Sequence, residues 1–557
     1  MKRQKTYKYL AFLIIALVLI NMLAAQFHQR FDLTQDKRYT ISPAAKEIFA
    51  EVESPLFIDV FLKGNFPPEF KRLQNETRQF LEEVTAYNSN IIFNFIDPLA
   101  EGDDANAVAE EFYAMGMTPA RLSVMESGRA TESIIFPWAI ANFREQTVTI
   151  PLLKNKLGIT DEERVNSSVQ QLEYSFANAI SQLVKPRQKK IAVMRGNGEL
   201  PDPYIADFIH TLRQHYFIAP FSLKTAEVDP VKTFQNLKEL DLIIEAKPTE
   251  VFTESEKFIL DQYIMQGGKA LWLVENTIME TDSLFNDTGS TLAIPRDLNL
   301  GDMFFSWGFR INPVLVNDIY SAPIILASGS GNDTRFSPYP WFYSPLSTSP
   351  GTHPIINNLE AVKFDWANPI DTLRNPVKKT VLLTSSPQSK LEGTPREVSL
   401  SILNAPPDMA SYTGGEQPLA VLLEGEFTSA YRNRIKPFPL SGAIDQGVET
   451  QMIVISDGDV IKNQLQQGAP LELGFDRYTG NTYGNKEFLL NSINYLLDDS
   501  GLIDIRSKVI TIPFLNIEKA SEERELWQVL NLAVPLLLLL TGAFGFNYFR
   551  KKRYLKK

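Results

Sequence analysis

Two long apolar runs bracket the chain, and between them hydrophobic and polar positions recur with the periods of strands and helices. Residues 9–25 are broken by one polar side chain, Asn21, and at about 1.5 Å per residue a helix of that length nearly crosses a roughly 30 Å hydrocarbon layer. Residues 527–549 form a second candidate span, with leucines 536–540 at the centre and Trp527, Tyr548 and Phe549 near the ends, where amphipathic rings favour a membrane interface. Lys2, Arg3, Lys5 and Lys8 precede the first run, and Arg550, Lys551, Lys552, Arg553, Lys556 and Lys557 follow the second. Basic residues beside a span stay on the cytoplasmic side, so both termini are expected in the cytoplasm and the stretch between them outside it. A cleavable secretory signal is the alternative for the first run, and it too exports the ectodomain.

The exported stretch divides by pattern. Short apolar runs at 56–62 and 91–96 alternate with amphipathic stretches at 69–87 and 105–115, and 122–125, 133–138 and 147–150 supply further strand candidates. This order resembles a thioredoxin-like α/β domain, expected over 32–155. Where the redox members of that fold carry a pair of cysteines, this chain reads Lys63-Gly64-Asn65-Phe66-Pro67-Pro68. Val165, Val169, Leu172, Phe176, Ile180 and Leu183 then recur at helical spacing and predict a connecting helix within 156–185.

A second α/β unit is expected over 186–505. Strands at 190–194, 240–245 and 270–274 alternate with helices at 204–215 and 254–265, which predicts a parallel, flavodoxin-like sheet. Residues 276–415 are rich in Pro, Ser, Asn and Gly and read as an insertion, after which strands at 419–424 and 451–456 and a helix at 486–497 complete the sheet.

Composition narrows the chemistry. The chain has no cysteine, which excludes disulfides, thiol catalysis and Cys-ligated metals. Its four histidines, His28, His210, His215 and His353, form no ligand pair at helical spacing, so no metal site is expected from them. Net charge is −11 although both tails are basic, so the ectodomain is more acidic still and nucleic acid is an unsuitable partner. Gly267-Gly268-Lys269-Ala270 precedes a strand and lacks a hydroxyl, so it is no phosphate-binding loop, and no nucleophile with its base can be nominated.

Two loops remain as ligand candidates. Arg195-Gly196-Asn197-Gly198-Glu199 follows the first strand of the second unit, at the carboxyl end where open α/β sheets place ligands; Asn197 and Glu199 are its polar members. Ser456-Asp457-Gly458-Asp459 follows the last strand, and Asp457 and Asp459 with Glu199 suit a cation if the topology unites them. A tight turn accounts for the first loop and a helix cap for the second without any ligand. The aromatic string 338–343 is either a stacking platform or a buried anchor for the insertion.

Several strings carry a family resemblance: 32–43 (DLTQDKRYTISP), 307–313 (WGFRINP), 422–427 (LLEGEF), 483–497 (YGNKEFLLNSINYLL) and 506–508 (RSK). Together they resemble gliding-motility-associated ABC transporter substrate-binding proteins of the GldG type, within the ABC-transporter auxiliary family, over nearly the whole chain. The resemblance implies a non-enzymatic bacterial auxiliary subunit with a periplasmic ectodomain, held in the inner membrane and its lipid, working with a separate permease and ATPase and an unknown periplasmic ligand or partner. It also implies that the second unit resembles a class I glutamine amidotransferase without catalytic residues, and it calls for no cofactor. A tethered ligand receptor or scaffold independent of any transporter is the alternative, and a degenerate hydrolase a third reading. Anchors at both ends disfavour a diffusing binding protein.

Overall fold

The computed structural model describes residues 12–18, 21, 40–64, 66–99, 104–126, 129–154, 159–185, 188–328, 335–348, 351–498, 501–507 and 517–554. They fall into two compact units divided between Val509 and Ile510. Both are mixtures or products of the expected alternation: the first is α/β throughout, the second helical.

The first unit opens with helix α1 (Pro43–Ala50), whose N-terminus is capped by the Ser42 hydroxyl accepting from the Ala45 N–H. Strand β1 (Leu56–Val60), helix α2 (Pro68–Tyr87), strand β2 (Ile91–Phe95) and helix α3 (Ala105–Ala114) follow as the sequence predicts. The hairpin β3 (Ala120–Glu126) and β4 (Arg129–Ile135) stands apart as its own two-stranded sheet. Strands β5 (Trp138–Phe143) and β6 (Gln146–Pro151) complete a four-stranded sheet of order β2-β1-β5-β6, in which β5 runs antiparallel to both neighbours. The expected strand at 133–138 is thus divided by Phe136-Pro137, because proline cannot donate into a ladder, and the central strand lies beyond it.

Helix α4 (Asp161–Val184) starts with a capping box, Thr160 and Glu163 each satisfying the other's backbone, and lays its apolar face on this sheet. The resulting core takes in Ile41, Ala45, Ile48 and Phe49 from the beginning of the unit and Ile503 and Ile505 from its end. Two neighbouring α4 residues hold both ends: Glu173 Oε1 accepts from the Ser42 N–H at 2.5 Å, and Gln171 Oε1 accepts from Arg506 Nη1 at 3.2 Å.

The larger sheet is built from β7 (Lys190–Arg195), helix α5 (Asp202–Arg213), β8 (Phe217–Ser222), helix α6 (Pro230–Lys238), β9 (Leu242–Ala246), helix α7 (Glu254–Met265) and β10 (Lys269–Leu273). Strands β11 (Lys378–Thr384), β12 (Pro418–Thr428) and β13 (Gln446–Ile455) and helix α8 (Asn485–Leu497) complete it. Its order is β8-β7-β9-β10-β13-β12-β11, the first five strands parallel and β12 antiparallel to both of its neighbours. Strand β8 is missing from the sequence expectation because Pro220 interrupts it, and an edge strand tolerates proline where an inner one does not. Strand β11 comes from within 276–415, so that stretch adds one strand to the main sheet as well as smaller sheets of its own.

Those smaller sheets surround a separate core of Trp341, Tyr343, Trp366, Leu315 and Val398. Trp341 is 1% exposed, and Tyr343 stacks on Trp366 with centroids 5.0 Å apart. Of the two readings of the aromatic string, the buried anchor is the one its side chains at 341–343 adopt.

In the second unit, helix α9 (Arg524–Tyr554) contains Pro535, and its 29-residue portion Arg524–Lys552 is long and apolar enough to cross a membrane. Of the first expected span, residues 12–18 and 21 are helical; the rest of 9–25 lies outside the described residues, as do 32–39, Asn65 and Lys508 from the strings named above.

Candidate functional site

The carboxyl ends of the parallel strands carry two clusters of buried charge, side by side along one edge. After β7 the chain turns through Gly196 and Gly198, both at positive φ (114° and 74°). A Cβ on Gly198 would stand 2.1 Å from Thr249 Oγ1, so the second glycine is required by the close approach of the loop that follows β9. That approach is hydrogen-bonded: the N–H groups of Thr249 and Glu250 both donate to the Asn197 carbonyl at 2.9 Å. The Asn197 N–H in turn donates to Glu199 Oε2 at 2.9 Å, and Asn197 Nδ2 to Glu256 Oε2 at 3.4 Å. Glu256 caps α7 with Thr253 and meets Lys224 at 3.2 Å. The turn explanation of the glycines therefore holds in structural terms, and Asn197 and Glu199 are parts of it.

The unexpected member is Glu245, 0% exposed inside the otherwise apolar β9. Burial, then the charge of Glu199 and a hydrogen bond to it, push its pKa well above the ordinary carboxyl value. The shift favours the neutral acid, the form able to donate to the facing oxygens, which otherwise lack a donor. The two carboxyls meet at the point where the strand order reverses from β8-β7 to β9.

The second cluster centres on Lys247, directly after β9, at φ 56° and 2% exposed. Its Nζ lies 2.7 Å from Asp459 Oδ2, 2.7 Å from Glu280 Oε1 and 3.4 Å from Glu275 Oε1. Arg296 approaches Glu275 at 3.3 Å and Lys462 approaches Asp459 at 3.2 Å. Asp457 caps the short turn after β13, accepting from the Asp459 N–H at 2.7 Å and from the Asp365 N–H at 2.6 Å. The cap expected of the Asp-Gly-Asp loop is thus present, and the loop also supplies an ion-pair partner.

Charge decides what this cluster can hold. Carboxylate oxygens of Glu275, Asp457 and Asp459 lie within 4.8 Å of one another, a spacing a cation could use. Lys247 already occupies that role. Burial and the neighbouring Asp459 push the Asp457 pKa well up, which favours its neutral form. Burial opposes the charge of Asp459, but Lys247 and Lys462 outweigh it and keep its pKa low. At Glu275 burial outweighs Lys247 and Arg296 and raises the pKa to about 7, and with Lys247, Arg296 and Lys462 already lying against Glu275, Glu280 and Asp459 the donor set does not fit an added metal. Burial likewise opposes the Lys247 ammonium, but Asp459, Glu275 and Glu280 prevail and hold its pKa above normal, so it is no nucleophile.

The expectation that Glu199 joins Asp457 and Asp459 fails on topology. Strands β9 and β10 separate the two loops, and among the described residues no hydrogen bond or ion pair links Glu199 to either aspartate. The residues missed from sequence, Glu245, Lys247 and Glu275, do carry a signal: each is charged and stands within or just after a largely apolar, buried strand, where unpaired charge is costly.

Fold and site together define an α/β protein whose sheet edge is closed by internal charge pairing, accompanied by an apolar helix. The chain belongs to the family described as "ABC-type uncharacterized transport system", whose model matches residues 188–492 and so spans the seven-stranded sheet. A domain of unknown function matches residues 35–142. A protein of Borreliella burgdorferi (strain ATCC 35210 / DSM 4680 / CIP 102532 / B31), described as an uncharacterized protein, is 21% identical over 555 residues, 97% of this chain and 96% of its own. The solved "mmIFT52 N-terminal domain" is 14% identical, covering 56% of this chain and 99% of that one with a TM-score of 0.30, too low to carry an argument. Family membership makes this an accessory protein of an ABC transport system, associated with transporter components, and with the apolar helix it points to membrane association.

Proposed function

We propose that the chain is a non-enzymatic auxiliary subunit of a bacterial ABC transporter of the gliding-motility-associated type. In this reading it works beside a separate permease and ATPase, with helices at both ends in the inner membrane, both termini cytoplasmic and the ectodomain periplasmic. The observation that carries the non-enzymatic reading is Lys247: the place where an α/β sheet usually presents reactive groups is filled by a buried ammonium with three carboxylate partners. The strand orders support the finer fold names. A β2-β1-β5-β6 sheet with β5 reversed suits a thioredoxin-like domain, and β8-β7-β9-β10-β13 suits a flavodoxin-like, degenerate amidotransferase-like domain.

Gentle detergent extraction followed by affinity purification should recover a permease and an ATPase with the chain. Recovery of the chain alone, under conditions that preserve other transporters, would refute the transporter reading. Topology is open to direct labelling because the chain has no cysteine. A single cysteine at Ile435, 94% exposed, should react with a membrane-impermeant maleimide once the outer membrane is permeabilised, and one at Lys556 should not.

A further inference from the structure

We propose that the outer edge of β6 binds an extended peptide segment by strand addition, within the cleft between the four-stranded sheet and the α5–α8 side of the large sheet. Strand β6 is the edge of its sheet. The side on which each residue bonds follows from the ladder. The Trp138 carbonyl accepts from the Phe61 N–H at 2.9 Å, on the β1 side, so Trp138, Ile140 and Asn142 face β1. Their partners across the β5–β6 pair, Pro151, Thr149 and Thr147, therefore turn their main-chain groups outward. Among the described residues no backbone hydrogen bond takes up the N–H or C=O of Thr147 or Thr149 on that side.

This edge opens into a cleft of about 1670 Å³ that Thr147 and Thr149 both line. A site for a small molecule is typically about 300–1,000 Å³, so the space suits a polymer segment. The six residues of β6 give roughly 20 Å of edge. Ser175, Asn178 and Gln182 line the cleft from one stripe of α4, away from the face that carries Phe176 and Ile180 into the core. Asn494 of α8 and Gln214, just after α5, face them from the far side.

Charge and access select the occupant. Most of the cleft's charged groups have a partner: Lys486 lies 3.0 Å from Asp207 and 3.5 Å from Glu472, Lys154 and Arg506 both pair with Glu487, Lys185 lies 3.2 Å from Glu51, and Arg144 lies over the Phe143 ring. The rest of the lining is amide and hydroxyl groups among apolar side chains such as Val148, Leu153 and Leu490, which suits an uncharged main chain. Helices α5 and α8 line the opposite wall, so the edge is recessed; a single extended chain fits where the sheet of a second copy would collide with that wall. Main-chain pairing gives such a complex its affinity and the amide walls its selectivity.

The test uses the full-length chain in detergent and a random 12-residue peptide display library. Selected peptides, measured by fluorescence polarisation, should bind more tightly than about 100 µM. They should weaken at least tenfold both against Thr149→Pro, which removes an outward N–H and spares the β5 ladder, and when their own alternate amides are N-methylated. Hydrogen exchange provides a readout on the unaltered chain: the amides of Thr147 and Thr149 should exchange freely alone and become protected with peptide. Failure to select any peptide at that affinity, peptides indifferent to N-methylation, or unchanged exchange at both threonines would overturn the proposal, as would neutral oligosaccharides that bind there in place of peptides. Co-purification with transporter proteins is a separate readout, so a chain that keeps those partners and binds no peptide ends this inference alone.

Discussion

Replacing Lys247 with methionine keeps the aliphatic stem and removes only the ammonium, which isolates the charge at the centre of the buried network. Asp459, Glu275 and Glu280 each lose a partner, while Arg296 and Lys462 remain. Glu280, with 45% of its side chain exposed, can turn to water, but the side chains of Asp459 and Glu275 are 9% and 1% exposed and cannot. Breaking a buried pair from one side costs about 3–5 kcal/mol, because the remaining charge is left uncompensated. With roughly 2 cal/mol/K of unfolding entropy per residue over the residues 188–492 of the large domain, that cost lowers Tm by about 5–8 °C. Thermal melts of the detergent-solubilised chain, followed by tryptophan fluorescence, measure it. Because the loss is an unpaired negative charge, Lys247→Met with Asp459→Asn should recover more than half of it, a coupling expected of groups in contact. A melt within about 1 °C of the parent would refute the charge assignment, and a double variant that melts lower still would show that packing, not charge, sets the cost.

Further outcomes follow from the same contacts. Glu245 has a folded pKa above its unfolded value, so it lowers stability as pH rises from the ordinary carboxyl range; Glu245→Gln should match the parent near pH 4 and exceed it at pH 8 in paired denaturant titrations. Glu487 shows the opposite sign: burial opposes its charge, but Lys154 and Arg506 prevail and hold its pKa at about 2. Its contribution is complete above about pH 5 and lost as pH falls toward 2, so Glu487→Gln should flatten the acid limb of the melting curve at a cost of up to about 3 kcal/mol near neutrality. Gly458→Ala places a Cβ 2.3 Å from Lys247 Cγ and should destabilise the chain by about 1–3 kcal/mol, measured by the same melts. Trp341→Ala should cost about 3–5 kcal/mol from the insertion's core while partners are still recovered in pull-downs at low temperature.

Much of the fold was legible where the pattern is local. Helix α4 announces itself by Thr160, Glu163 and an apolar repeat, and β7, β9 and β10 are short apolar runs bounded by turns. Strand β5 was hidden because Pro137 breaks the apolar run that leads into it, and β8 because a proline within a strand is acceptable only at an edge, a position that depends on the assembled sheet. The site was less legible for a related reason. Lys247 and Asp459 are 212 residues apart, and no spacing rule connects them. What the sequence does contain is a lysine after an apolar strand and a glycine between two aspartates, and each makes sense only when the other is placed against it.

The grip of α4 on both Ser42 and Arg506 gives the first unit a mechanical shortcut. Tension entering near Ile41 and leaving near Ile505 passes through one shared core and two nearby hydrogen-bond anchors, Glu173 and Gln171. The seven-stranded sheet is then a closed loop hung from that junction rather than a link in series with it. Lys154 with Glu487, Tyr174 with Asn494 and Ser167 with Asn358 tie the sheet's flank back to α4 and the segment just before it, so a pull on the chain's two exits need not pass through its strands.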